Sequence, residues 1–233
     1  GLAVVTAITV NLATQAGTAS AHMGHGGNGA VSQVVGAKGQ NGECLNPYWP
    51  AEQGMSRREK IDQARQGGPH ISAQAKIVER NRCGELEILA EGTNGFVCLP
   101  NADPVPVPNP VCLDEVGFEW YKAAYFGSNP KPTNPGVGYM ALGGGHWEIR
   151  GSVFPPYPKP EGAELVRDPP HWMLLWEFDS KKTGIPAYPN TGDITIVFDG
   201  NPFAVMLLPW DSLCSSERRF VGCLDSLPKR GLP

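Results

Sequence analysis

Residues 194–208, ITIVFDGNPFAVMLL, hold two apolar runs on either side of Asp199-Gly200-Asn201-Pro202. Asp, Gly, Asn and Pro supply the backbone angles of a tight reversal, so the four read as the turn of a β-hairpin. Ile194 to Phe198 and Phe203 to Leu208 are then its strands. Neither run alternates cleanly between apolar and polar, which is the pattern of strands covered on both faces in the middle of a sheet. His171 to Phe178, HWMLLWEF, is a third run of the same kind.

Working back from these runs, two stretches read as loops by composition, GSNPKPTNPG (127–136) and FPPYPKPEGAE (154–164), with a short strand near Tyr139 to Leu142 between them. Glu115 to Phe126 is predicted as a helix, with Asp114 as its N-cap and Gly127 ending it. Val116, Trp120 and Ala123 or Ala124 share a stripe expected to be buried, with Phe118, Tyr121 and Tyr125 beside it. Glu85 to Glu91, ELEILAE, alternates so that Leu86, Ile88 and Ala90 point inward. Gly92-Thr93-Asn94-Gly95 follows, then Phe96 to Leu99, and Asn-Gly between alternating runs predicts a hairpin. Gln74 to Glu79 reads as a short strand. Ser56-Arg57-Arg58-Glu59 is a capping box opening a helix that ends at Gly67-Gly68, where glycine tolerates the left-handed cap. The expected fold is α+β: a single domain with a mainly antiparallel sheet, two short helices covering one face, and long Pro/Gly-rich loops.

Composition agrees. Gly (29) and Pro (23) are nearly twice their usual share, which disfavours a mostly helical chain. Charged residues make up 18% and the net charge is −4. Nucleic-acid binding needs a concentrated basic surface, so that partner is not expected. The dense basic run Arg57, Arg58, Lys60 carries Glu59 and Asp62 with it and reads as a solvated helix face.

Leu2 to Val10, LAVVTAITV, is too short to span a bilayer, and small residues follow it up to Ala19-Ser20-Ala21. That is the pattern of a secretory signal (1–21), cut between Ala21 and His22. Gly1, with no initiator Met or basic segment before it, reads as a truncated start. Residues 22–43 form a Gly-rich flexible tail, and 44–233 a single extracytoplasmic domain, periplasmic or secreted, with no membrane span in the mature form. Expressed behind a restored leader, the exported protein is expected to begin at His22; N-terminal sequencing that finds an uncleaved chain sinks this reading.

The six cysteines, Cys44, Cys83, Cys98, Cys112, Cys214 and Cys223, are an even set in an exported context and predict disulfides. Locality favours Cys98 with Cys112 and Cys214 with Cys223, leaving Cys44 with Cys83 by elimination; the other pairings stay open. No pair has the C-x-x-C spacing of a zinc or redox site.

REKIDQA (58–64), EGTNGFVCLP (91–100), VCLDE (111–115), GVGYM (136–140), PPHWMLLWEF (169–178) and GNPFAVMLLP (200–209) resemble a family of exported bacterial proteins described as hypothetical. The resemblance implies export, one domain and a Cys98–Cys112 bond. It implies no activity, and it does not extend to the other four cysteines or the tail.

Chemistry-bearing motifs are sparse. Gly143-Gly144-Gly145-His146 could cradle an anion, but its spacing matches neither nucleotide fingerprint, and loop flexibility is the plainer account. His171 shares a strand face with Glu177, yet six residues separate them by about 20 Å, so His171 is expected to be a hydrogen-bonded structural residue. Trp147, Trp172, Trp176 and Phe154 to Tyr157 could line a glycan or peptide groove.

Three functions follow. The first is a non-enzymatic domain, binding or structural, for a small ligand, peptide or glycan. The second is metal binding, especially of copper, by the α-amine and imidazole of a cleaved His22 with His25 or Met23, a full site needing His70, His146 or His171 as well; no cofactor is predicted beyond this copper alternative. Copper calorimetry with and without residues 22–25 decides it. The third is a hydrolase using His146 or His171, which needs either ring about 3 Å from a nucleophile or carboxylate in a concave pocket.

Overall fold

A computed structural model of the chain describes residues 54–81, 85–103, 105–126, 130–154, 161–189 and 194–210. The signal and tail, with His22 and His25, and Cys44, Cys83, Cys214 and Cys223 lie outside the described residues. In chain order the elements are α1 (Arg57–Arg65), β1 (Lys76–Arg80), β2 (Leu86–Ala90), β3 (Val97–Leu99), β4 (Val111–Leu113), α2 (Glu115–Phe126), β5 (Gly136–Met140), β6 (Gly144–Ile149), β7 (Ser152–Phe154), β8 (Glu164–Asp168), β9 (His171–Leu175), α3 (Ser180–Thr183), β10 (Thr195–Val197) and β11 (Val205–Pro209). Eight strands form one sheet in the order β10-β11-β9-β5-β4-β3-β1-β2, and three form a second, β7-β6-β8. The β1–β3 pairing is parallel and the rest are antiparallel, so the fold is α+β with a mainly antiparallel sheet.

The hairpin at 194–208 is present. Ile196 stands opposite Met206, and the turn places Phe198 and Gly200 at φ 57 and 68. Asp199 in that turn also accepts the Ser180 amide at the start of α3 (2.6 Å). β9 and β11 are interior strands, as their unbroken apolarity implies. β10 is the end strand of the sheet, but Ala187 bridges to Ile196 and lies along its outer side.

The two longer helices cover opposite faces of the large sheet, not one. Adjacent residues of a strand point to opposite sides. Ala64 and Ile61 of α1 pack with Ile77, Cys98 and Cys112, while Tyr121 of α2 packs with Val78, Leu99 and Leu113. Each helix starts as its caps foretell. Ser56 and Glu59 complete the capping box. Asp114 accepts the Gly117 amide (2.7 Å) and the Val137 amide (3.0 Å), which fixes α2 to β5.

Three expectations are corrected. Gly92 to Gly95 turns the chain, with Gly95 at φ 80, but β2 and β3 do not pair: β1 lies between them. The turn instead crosses the start of β1, where Thr93 donates to Gln74 and Lys76 to Phe96. A register shift between Ile77 and Val78 then turns Leu89 inward and leaves Ile88 49% exposed. At the end of α1, the cap residue is Gln66 in right-handed conformation. Gly67 and Gly68 serve close approach instead: a Cβ on Gly67 would lie 2.8 Å from the Val111 backbone, and one on Gly68 3.1 Å from Cys112 Cβ.

The small sheet continues the β5–β9 ribbon, since β5 leads into β6 and β8 into β9. Pro169-Pro170, which carry no amide hydrogen, interrupt the ladder between Met140↔His171 and Gly144↔Asp168. Val105, Trp147 and Ala163 form its core.

Candidate functional site

β6 and β8 bring together side chains far apart in the chain. His146 and Glu148, two residues apart on β6, point to the same face. His146 Nδ1 lies 2.9 Å from Asp168 Oδ1 on β8. Its Nε2 lies 3.5 Å from Glu148 Oε2 and 3.4 Å from the Tyr188 hydroxyl. The Tyr188 hydroxyl donates to Glu148 Oε2 in a short bond, and the Gly151 amide donates to Oε1 (3.0 Å). The Tyr188 and His146 rings meet edge to face, 5.6 Å between centroids. All three of His146, Glu148 and Asp168 are mostly buried, with side-chain exposures of 15%, 22% and 21%.

Burial pulls the His146 imidazole down, but the bonds and charges of Asp168 and then Glu148 outweigh it and hold the group above its ordinary value. Glu148 is held below the usual carboxylate range, foremost by the Tyr188 hydrogen bond. Burial, then the bond to Glu148, pushes the Tyr188 phenol up. Asp168 accepts from Nδ1 whether the ring is charged or neutral, so the exchangeable proton sits on Nε2. The arrangement can hold and pass a proton at a defined atom.

His146 thus meets the distance the hydrolase reading requires, with Asp168 as the carboxylate. His171 does not join it in that role. It is 4% exposed, its Nδ1 is 2.7 Å from the Pro169 carbonyl, and burial pushes its imidazole down. It is the hydrogen-bonded structural histidine expected. His70 is on the surface, edge-on to Tyr139. Among the described residues no group of three or more His, Cys, Asp or Glu is arranged to hold a metal ion.

Gly143-Gly144-Gly145 is neither an anion cradle nor a flexible loop. Gly144 and Gly145 lie in β6, and a Cβ on Gly144 would stand 1.9 Å from Asn109 Oδ1. Close packing demands the glycines. The tryptophans do not form one groove: Trp147 lies in the small-sheet core, while Trp172 belongs to β9 of the large sheet. Phe154 is in β7, and 155–157 lie outside the described residues.

The pairing of Cys98 with Cys112 is present, between directly opposed residues of β3 and β4, and both are fully buried.

A cleft of about 600 Å³ lies against α2. One wall is Val116, Trp120 and Ala123, the stripe expected to be the buried one; the other is Pro130 to Thr133. Ala123 of that stripe is buried and Trp120 packs against the core and edge-on to Phe203, with Val116 half-buried, while Gly117 and Tyr121 face the sheet directly. Gly136 and Gly117 approach so closely that a Cβ on Gly136 would lie 2.5 Å from the Gly117 nitrogen, and this contact sets the helix rotation. Glu115, Glu119, Lys122 and Lys131 also line the cleft, and Glu119 pairs with Lys122.

The sequence pattern did not point to Glu148, Asp168 or Tyr188. The available signal was the alternation that puts His146 and Glu148 on one face, hidden because the glycine run read as a loop. Protein-family models, curated proteins and solved structures give no match to the chain.

Proposed function

We propose that the chain is an exported bacterial protein whose domain binds a ligand rather than turning one over, and that the cleft on α2 is the binding site. The observation that carries this is the cleft itself: an indole, alanine and valine wall opposed by Pro130 and Pro132, with both charge signs beside them. Apolar and aromatic surface supplies contact area, and polar groups supply orientation. Opposite charges that partly pair with each other favour neither an anion nor a cation. A neutral, polyhydroxylated ligand, a glycan, suits that combination. The buried Cys98–Cys112 bond supports an oxidising compartment, in keeping with the family resemblance.

Titration with neutral oligosaccharides, followed by NMR of the tryptophan indoles, is expected to move the Trp120 signal. Lys131→Ala and Glu115→Ala are expected to weaken binding several-fold while leaving the melting temperature unchanged, since Lys131 and Glu115 are exposed. Proline-rich peptides shifting Trp120 where sugars do not would replace the ligand class. No shift from either at millimolar concentration removes the binding reading.

A further inference from the structure

We propose that the proton on His146 Nε2 selects the hydrogen-bond acceptor of the Tyr188 hydroxyl, and so tightens or loosens a strap that spans the two sheets. The strap is residues 186–189. Its backbone belongs to the large sheet: the Tyr188 amide donates to the Ile196 carbonyl (2.9 Å) and the Ile196 amide to the Pro186 carbonyl (2.9 Å). Its side chains belong to the small sheet. The Tyr188 hydroxyl reaches Glu148, and Pro189 rests on the β6–β7 turn, where a Cβ on Gly151 would meet Pro189 Cγ at 2.9 Å.

The groups facing His146 are Asp168 from β8, Glu148 from β6 and Tyr188 from the strap, and the charge of His146 in turn disfavours a charge on His171 of β9. Burial keeps His171 in its neutral form. With Nε2 protonated, N–H points toward Glu148 Oε2, and that oxygen also accepts the Tyr188 hydroxyl. With Nε2 neutral, its lone pair faces the same anionic oxygen. Glu148 Oε1 is held by the Gly151 amide, so the carboxylate does not swing away without loss. The hydroxyl then shifts toward the free Nε2 lone pair, 3.4 Å away, exchanging a short bond to a carboxylate for a longer one to a neutral acceptor. That exchange loosens the strap.

The folded-state value of His146 lies above that of the unfolded chain, near 6.5. The extra attraction is therefore fully present below that unfolded value and is lost as pH rises through the folded one. A role in uncovering the outer side of β10 at higher pH follows from the strap's position.

Amide exchange at Tyr188 and Ile196, corrected for intrinsic rates, tests the proposal between about pH 5.5 and pH 8.5, the window of histidine titration. The His146 and His171 ring signals are followed in the same samples. Protection at both amides is expected to fall several-fold, with the midpoint of the His146 titration. Tyr188→Phe is expected to show the low protection at both ends, and Glu148→Gln a flat profile. Flat wild-type protection across the His146 titration, a midpoint that follows another group, or an unaltered pH response in Tyr188→Phe overturns it. The wild-type profile carries the test even if a variant folds poorly.

Discussion

Gly92→Ala is expected to destabilise the domain by about 3 kcal/mol, the upper end for forcing an extra carbon into a packed interior. A Cβ at this position would lie 2.0 Å from the Lys76 nitrogen and 2.3 Å from the Ala75 carbonyl carbon. Both are backbone atoms, so no rotamer change relieves the clash. Nor is β1 free to slide, because it is paired on both sides, with β2 and with β3. Gly95, three residues on, makes the comparison. It adopts φ 80 but has nothing within 4 Å, so Gly95→Ala meets only the conformational cost of about 1–2 kcal/mol. Chemical denaturation of the two variants separates steric demand from backbone demand. Should Gly95→Ala prove the more harmful, the crossing of this loop over β1 is wrong.

Replacing both Cys98 and Cys112 with alanine is expected to cost about 3 kcal/mol, from the loop entropy restored to the unfolded chain. Their separation in sequence is 14 residues, and both side chains are fully buried. For a domain of this size the melting temperature should fall by roughly 6–12 °C. Changing both residues avoids leaving a lone buried thiol. Alanine is small enough for the site under α1, where Gly68 already approaches Cys112 closely. Calorimetry of the double variant against the oxidised wild type measures the loss. Native protein should also resist thiol labelling at these two positions until it is both unfolded and reduced. Equal melting temperatures, or rapid labelling of the pair in the native state, contradicts a bond that holds the sheet centre together.

The local features of this protein are set by groups only a few residues apart, and the sequence alone determined them. Ser56 and Glu59 cap α1 because each reaches the other's backbone within one turn. Asp114 starts α2 in the same way. Asp199 to Pro202 reverses the chain between two strands whose apolarity already marked them as strands, and Cys98 lies near enough to Cys112 for locality to favour the bond. From these follows the α+β class with its mainly antiparallel sheet.

What only the tertiary structure decided depends on contacts between distant segments. The Asn94-Gly95 turn was legible, but not that its strands would be parted by β1, because strand order is a choice among partners of similar pattern. The α2 stripe was legible as apolar, but the Gly117–Gly136 contact chose which side met the sheet and left Trp120 on the cleft. Gly144 looked like flexibility and proved to be room for Asn109. The His146 cluster joins Asp168 and Tyr188 across 22 and 42 residues. Periodicity tells a side chain's face within its own element; it holds no information on which distant carboxylate or hydroxyl the folded chain will set opposite that face.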